Sequence, residues 1–128
     1  MERAPGPGRL LRRSEFLAVA GARRKWVAPG LILQIRRHDD RQRPAAGEPS
    51  VRVGFTASRK VGGAVERNRA RRRLRAAVRE IVPVLAAPGH DIVVIARAQT
   101  LSRGFDDLRQ DLETGLRRLG AAREGSAS

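Results

Sequence analysis

The sequence predicts a single α+β domain in which helices pack on a mixed sheet, and three observations lead to this fold class. Residues 51–58 alternate between apolar and polar side chains, which is the period of a half-exposed strand. Residues 91–96 form a continuous aliphatic run, as expected for a strand buried on both faces. The segment between them has helical apolar spacing, so the order strand, helix, strand predicts a parallel crossover.

Capping residues, chain breakers and periodicity place the other elements. Ser14 is predicted to cap a short helix, and residues 31–35 have the aliphatic density of a strand. Pro83 and the proline-glycine pair after it are predicted to end the central helix. Leucines at spacings of three and four predict a closing helix over residues 101–119, with aspartates early and arginines late, as the helix dipole favours.

Composition divides the chain into one domain and two tails. With 128 residues and 41% hydrophobic content, the chain can bury one modest core, which we assign to residues 9–120. Residues 1–8, rich in proline and glycine, and residues 121–128 are predicted to be disordered. Residues 38–50 carry no apolar period and are predicted to form a mobile loop.

The composition excludes several classes of protein and favours one. The chain has 27 Lys and Arg against 13 Asp and Glu, a net charge of +14 and a sequence pI near 11.9, which predicts binding to polyanions. The absence of cysteine excludes disulfides, thiolate zinc sites and a cysteine nucleophile. Because no apolar stretch approaches the roughly 20 residues that span a bilayer and no secretory signal is recognisable, we expect a cytoplasmic protein without a membrane partner.

Much of the charge is concentrated in residues 66–75, where six of the ten residues are arginine. On a helix that turns 100° per residue, an arc of roughly 100° collects five polar side chains, Asn68, Arg71, Arg72, Arg75 and Arg79. A different side collects apolar ones, Ala70, Leu74, Ala77, Val78 and Ile81. We interpret the basic stripe as a nucleic-acid surface. The alternatives are a solvated helix face and a lipid surface, which would require larger apolar residues opposite the charges.

The strand over residues 51–58 offers a second candidate surface. One of its faces carries Arg52, Gly54, Thr56 and Ser58, and Gly54 leaves the backbone open, as a single-stranded nucleic acid lying on a sheet would require. The alternative is an ordinary solvent-facing strand. The following turn, residues 59–63, contains two glycines, and its backbone amides are predicted to favour anions, although it does not match the Walker pattern.

No catalytic site within the protein itself is predicted. His38 and His90 are interpreted as loop histidines, because no serine or carboxylate partner is indicated for either. Asp39 and Asp40 are adjacent carboxylates in a loop and do not converge on a metal ion without further ligands. Complementation of the helix dipole explains the aspartates of the closing helix, Asp106, Asp107 and Asp111.

The segment RVGFTASRKVGGAVERNRARRRLR, residues 52–75, resembles the signature of the bacterial ribonuclease P protein family. The order of elements over roughly residues 9–119 is also similar to that family's. The resemblance implies an α/β sandwich of the ribosomal protein S5 domain 2-like type. Its features would be a short N-terminal helix, a mixed sheet of about four strands, a left-handed crossover carrying the arginine-rich helix, and a C-terminal helix. General rules alone would predict a right-handed crossover.

The resemblance also implies a function. The family provides the accessory subunit of the endoribonuclease that removes the 5′ leader from precursor tRNA. A catalytic RNA, which binds the required magnesium, supplies the catalytic groups, and no further protein partner is needed. The positions that match the family's motif for binding the catalytic RNA are Arg67, Asn68, Arg69, Arg71, Arg72 and Arg75. The positions that match its leader-binding cleft are Phe16, Arg52, Phe55, Thr56, Ser58 and Lys60.

Three features depart from the family pattern, and the third, the absence of tyrosine, is expected to reduce stacking on the leader. Gly63 stands where asparagine is frequent, Arg59 replaces a common lysine, and the chain has no tyrosine to stack on a base. Two other functions remain open: a general RNA-binding or ribosome-associated module without a processing role, and an enzyme with its own nuclease site.

Overall fold

The structure, a computed structural model, describes residues 7–38 and 50–123. This part of the chain forms five strands and three α-helices. In order they are β1 (Gly8–Arg9), α1 (Arg13–Gly21), β2 (Arg24–Val27), β3 (Leu31–Arg37), β4 (Val51–Thr56), α2 (Ala64–Leu85), β5 (His90–Ala96), a short 3₁₀ helix (Ala98–Leu101) and α3 (Phe105–Arg118). The predicted α+β class is confirmed.

The strands form one mixed sheet in the order β1-β4-β5-β3-β2. β1 and β5 run parallel to β4, whereas β3 is antiparallel to both β5 and β2. Because α2 joins the neighbouring parallel strands β4 and β5, the predicted crossover is confirmed, and its hand stays a prediction. The sheet has five strands rather than about four, since Gly8 and Arg9 pair with β4.

One face of the sheet carries the main hydrophobic core under α2 and α3. The predicted apolar stripe of α2 lies in it, with Ala70, Leu74 and Ala77 fully buried. The leucines of α3 fill the space beside it. Gly115 lets α3 approach β3 closely, because a Cβ at this position would lie 2.4 Å from Leu33 Cδ1.

The other face of the sheet carries a smaller cluster under α1. Leu10, Val19 and Val93 are buried there, and Phe16 and Ile95 pack against them. α1 spans only nine residues and contacts mainly β3 and β5, so it covers one part of this face.

The start of α1 and the end of α2 differ from the sequence-based prediction. Arg12, not Ser14, is the N-cap of α1, and the Glu15 carboxylate accepts hydrogen bonds from the Leu11 and Arg12 amides at 3.0 and 2.8 Å. An acidic side chain in the first turn thus replaces the expected serine cap. α2 continues through Pro83 to Leu85, because Val82 and Leu85 are buried in the core and offset the hydrogen bond that proline cannot donate.

Both ends of the domain extend further than predicted. Gly8, assigned to the disordered N-terminus, lies in β1, and Ala121, assigned to the C-terminal tail, is fully buried. The Ala87 amide donates to the Ala121 carbonyl and the Arg123 amide to the Leu85 carbonyl, each at 2.7 Å. The predictions for residues 1–6, 39–49 and 124–128 lie outside the described residues.

Candidate nucleic-acid interface

The outward face of α2 carries most of the arginines of the 66–75 run. Asn68, Arg69 and Arg72 are exposed, and Arg67, Arg71 and Arg75 are half-buried. The Arg71 guanidinium donates a 2.6 Å hydrogen bond to the Asn68 side chain. Within residues 7–38 and 50–123, no carboxylate pairs with any of these five arginines. We call these six residues the α2 arginine surface.

Arg73 is the one arginine of the run with a structural role. Its guanidinium donates hydrogen bonds to the Thr100, Leu101 and Arg103 carbonyls at 2.5, 3.0 and 2.6 Å. These contacts tie α2 to the 3₁₀ helix and the segment that leads into α3. Arg73 is also the arginine that the family resemblance does not assign to RNA.

The turn that leads from β4 into α2 differs from the predicted anion-binding turn. Its amides at Lys60, Val61 and Gly62 already donate within the turn, to the Ser58 hydroxyl, the Ser58 carbonyl and the Arg59 carbonyl. Gly62 has a φ of 145°, which explains the glycine there. Buried Val61 anchors the turn to the core. The turn therefore connects the sheet to α2 but offers few free amides to a phosphate.

The part of the sheet face that α1 leaves open carries one row of side chains across four strands. Thr56 pairs with Ile95, Ile95 with Ile32, and Ile32 with Val27. The first three are half-buried and Val27 is 50% exposed. We call these four residues the open row. Ile95, Ile32 and Val27 were missing from the sequence-based site because only the pairing register brings them beside Thr56.

The residues predicted to line one leader cleft lie in different places. Phe16, Arg52 and Thr56 belong to the α1 side of the sheet, and exposed Ser58 and Lys60 lie in the turn after β4. Phe55 packs on the opposite face, against the main core, with the Arg75 guanidinium 5.6 Å from its ring centroid. The structure therefore does not bring Phe55 together with Phe16.

Phe16 also fills the space that Gly54 was expected to leave open. A Cβ at Gly54 would lie 2.5 Å from the Phe16 ring and 3.0 Å from Leu10 Cβ. Gly54 is buried, so the expectation of an open backbone there is wrong. The glycine admits an aromatic ring of the same chain, and the accessible part of this face begins at Thr56.

Arg52 is held by two carboxylates. Its Nε and Nη2 donate to both oxygens of Asp91 at 2.9 and 2.7 Å, and its Nη1 donates to Glu15 at 2.8 Å. Burial alone would raise the pKa of Asp91, but the hydrogen bonds from Arg52 and His38 outweigh it and lower that pKa. The Arg12 amide is the main cause of the lowered pKa of Glu15. This network joins α1 to the sheet.

Neither histidine lies in an exposed loop, contrary to the prediction. His38 directly follows β3, and its Nε2 lies 2.7 Å from Asp91 Oδ1. His90 is the buried first residue of β5, and burial lowers its pKa. Among the described contacts, none joins either histidine to a nucleophilic side chain. Asp39 and Asp40 lie outside the described residues.

The aspartates of α3 serve different purposes. Asp111 is buried and accepts hydrogen bonds from the Arg103 guanidinium, at 2.9 and 3.0 Å, and from the Gly30 amide at 3.0 Å. This hydrogen bonding, rather than dipole complementation, explains Asp111, whereas Asp106 and Asp107 do lie in the first turn. In the described ranges, no three His, Cys, Asp or Glu side chains converge as metal ligands.

The fold and these surfaces define a class of protein. A basic α+β domain with unpaired arginines along one helix, next to an open and partly apolar sheet face, is typical of proteins that bind RNA. Among the helices described, none is long and apolar enough to cross a membrane.

Comparison with known proteins identifies the family. The model of the Ribonuclease P family matches residues 5–120. The ribonuclease P protein component of Paramagnetospirillum magneticum is 51% identical over 124 residues, which cover 94% of this chain and 88% of the relative. That of Ruegeria pomeroyi is 49% identical over 114 residues, covering 88% and 86%. This chain belongs to the ribonuclease P protein family. It is the protein subunit of ribonuclease P, and its role is RNA binding in tRNA processing.

Solved structures agree with this fold. The RNase P protein of Staphylococcus aureus aligns with a TM-score of 0.70 at 19% identity, covering 90% of this chain and 97% of that one. The protein of Thermotoga maritima aligns with a TM-score of 0.65 at 26% identity, covering 83% and 92%. The five-stranded mixed sheet with three helices is therefore the fold of this family.

Proposed function

We propose that this chain binds the catalytic RNA of ribonuclease P through the α2 arginine surface. The observation that supports this most directly is that five arginines on one helix have no carboxylate partner in the described residues. Like charges at this spacing repel one another unless an anion neutralises them. An RNA backbone supplies that anion, and the planar guanidinium fork binds phosphate oxygens in pairs.

The open row is the proposed site for the single-stranded 5′ leader of precursor tRNA. Its apolar side chains can contact bases without selecting a sequence, which suits leaders that vary. Phe16 stands beside it, in the same cluster as Ile95. Thr56 ends β4, and Ser58 and Lys60 lead from it to the start of α2. A leader on this face would therefore approach the RNA bound to α2.

Magnesium in this proposal is bound by the RNA and not by the protein. Mg²⁺ requires oxygen ligands, whereas the α2 surface presents guanidinium groups. The buried carboxylates of Asp91 and Asp111 are each bound by an arginine. These residues do not fit a protein-held magnesium site. The arginines act by lowering the repulsion between two RNA backbones in the cytoplasmic complex, which needs no further protein partner.

A cleavage assay tests this function. The chain, a bacterial catalytic RNA and precursor tRNA are combined at low magnesium, where we expect the protein to stimulate release of the leader. Binding of the RNA without stimulation would favour a general RNA-binding module instead. Cutting by the protein in the absence of the catalytic RNA would indicate a nuclease site of its own.

A matched pair of variants tests the leader site. Val27→Glu places a negative charge on the open row, and Val84→Glu places the same charge at a position of α2 that is 73% exposed. We expect Val27→Glu to reduce the preference for precursor over mature tRNA several-fold, because the new charge repels the leader backbone. Equal preferences in the two variants would remove the open row as the leader site.

A further inference from the structure

A groove of about 370 Å³ lies on the face of the sheet opposite the open row, between β1, β4 and the second half of α2. Its apolar lining is formed by Val53, Phe55 and Val78, and its charged lining by Arg9, Arg75 and Arg79. None of the described residues that line it carries a carboxylate. Arg9 could not be placed beside α2 from the sequence, because only the parallel pairing of β1 with β4 brings it there.

The position of Arg9 is fixed by the fold. Arg9 pairs with Val53, and the next amide, of Leu10, donates a 3.0 Å hydrogen bond to the Val53 carbonyl. Leu10 is itself buried in the cluster under α1. The backbone of Arg9 is therefore held at the edge of the groove, which places its exposed side chain beside the other lining residues.

The lining combines a flat aromatic ring with an excess of positive charge. The Arg75 guanidinium stands over the Phe55 ring at 5.6 Å, which is within the range of a cation–π contact. Arg9 and Arg79 are exposed and have no carboxylate partner in residues 7–38 and 50–123. Three arginines around one groove are stabilised when an anion enters it. An aromatic ring and a guanidinium in the same groove also provide a stacking surface for a base.

We propose that this groove binds one unpaired nucleotide of the catalytic RNA. The base lies against Phe55 and Arg75, and the phosphate lies between Arg9 and Arg79. This inference rests on the proposed function, because Arg75 belongs both to the α2 arginine surface and to the groove. The arginine stripe of α2 continues to Arg79, so an RNA bound along α2 reaches the groove without leaving the protein.

The same geometry separates this nucleotide from the leader. The open row and Phe16 lie on one face of the sheet, and Phe55 lies on the other. A leader on the open row cannot contact Phe55 unless the chain of nucleotides passes around the edge of the sheet. Phe55 is therefore assigned to the catalytic RNA and not to the leader cleft that the resemblance implied.

Binding of the full chain to the catalytic RNA, measured as Kd across a series of salt concentrations, tests the proposal. Phe55→Leu keeps an apolar side chain but removes the ring, and we expect it to raise Kd about tenfold without changing the salt dependence. Arg9→Gln should raise Kd and reduce the slope of log K against log salt by about 1. Arg13→Gln, an exposed position on α1, is the matched control and should do neither.

Three further measurements separate the alternatives. Phe55→Tyr keeps the ring and should bind like the unmodified chain. An unchanged thermal unfolding transition in Phe55→Leu shows that its weaker binding is not a loss of folding. The preference for precursor over mature tRNA should be unchanged in Phe55→Leu. The inference is overturned if Phe55→Leu binds the RNA normally, or if its loss appears only in that preference. It is also overturned if Arg9→Gln binds the RNA with the same Kd and the same salt slope as the unmodified chain. If the unmodified chain itself fails to bind the catalytic RNA, the proposed function fails as well.

Discussion

Arginine has opposite roles in two regions of this protein. On the outward face of α2, Arg69 and Arg72 are exposed and pair with no carboxylate of the described chain. By contrast, Arg52 in β4 and Arg103 in the segment before α3 each bind a buried carboxylate through two hydrogen bonds. The first region is available to an external anion, and the second contributes to the fold.

Whether an arginine contributes to the fold depends on whether its carboxylate partner is buried. Asp91 is 2% exposed and Asp111 is 6% exposed. A buried carboxylate is strongly unfavourable unless it is paired and hydrogen-bonded, so each of these aspartates requires its arginine. Asp91 and Asp111 are the only buried carboxylates among the described residues, and neither pairs with an arginine of the outward face of α2. Its arginines can therefore change partner without a cost to the fold.

The largest effect is expected where a buried partner is removed. Asp91→Ala leaves His38 without its carboxylate partner and removes two of the hydrogen bonds that Arg52 donates. We expect the free energy of unfolding to fall by about 3 kcal/mol, the lower end for breaking a buried pair, because Arg52 is partly exposed. Urea denaturation measures this loss.

The control for Asp91→Ala is Asp106→Ala. The Asp106 side chain is 93% exposed, and its described ion pair is a surface pair with Arg109. Asp106→Ala should therefore lower the free energy of unfolding by no more than about 0.5 kcal/mol. If the two substitutions lower the free energy of unfolding equally, the Asp91 network does not stabilise the fold.

A smaller effect should separate two neighbouring arginines of the run. Arg73→Ala removes three hydrogen bonds to the carbonyls of residues 100, 101 and 103, so we expect about 2 kcal/mol of destabilisation. Arg72→Ala should leave stability within about 0.5 kcal/mol but weaken binding of the catalytic RNA. Denaturation and RNA titration of both variants give the comparison. The prediction is contradicted if Arg72→Ala lowers the free energy of unfolding as much as Arg73→Ala does.

The repeating elements were predictable because their signals are local. The continuous aliphatic run of β5 indicates a buried strand, and the apolar spacing of α2 and α3 indicates helices. Each of these patterns is visible within a few neighbouring residues. Burial then follows from the period, since one face of an element must cover the sheet. The alternation of β4 likewise placed Val53 and Phe55 on the core side.

The partners of these residues could not be predicted because they come from distant parts of the chain. Alternation showed that Gly54 and Thr56 share a face but not that Phe16 covers one of them and leaves the other accessible. Arg52 was therefore assigned to a cleft, although its carboxylate partners Glu15 and Asp91 lie 37 residues before it and 39 residues after it. The family signature, a local pattern, identified the protein without locating these contacts.

The third prediction concerns binding without a change in the fold. Replacing both Arg71 and Arg75 with alanine should raise the Kd for RNA about tenfold or more and reduce the salt slope by about 2. Stability should change little, because their described side-chain contacts are a hydrogen bond to exposed Asn68 and a partly exposed ring contact with Phe55. RNA titration and thermal unfolding are measured together. Unfolding of the double variant would place these arginines with Arg73 instead.

The smallest effect is expected from protons, which should act on the paired region alone. Burial lowers the pKa of His90 below 6.5, so below that pH the unfolded chain binds a proton that the folded chain excludes. Stability should therefore fall as the pH drops below about 6.5. The lowered pKa of Asp91 adds a second loss as the pH falls below its ordinary value of 3.8.

Denaturation between pH 7.5 and 3 measures both steps, and His90→Asn should remove only the first. Higher salt should weaken RNA binding by α2, whereas a lower pH should reduce the stability of the fold through His90 and Asp91 at the start of β5. A stability that is flat from pH 7 to 5, or a first step that persists in His90→Asn, would contradict this division between the two regions.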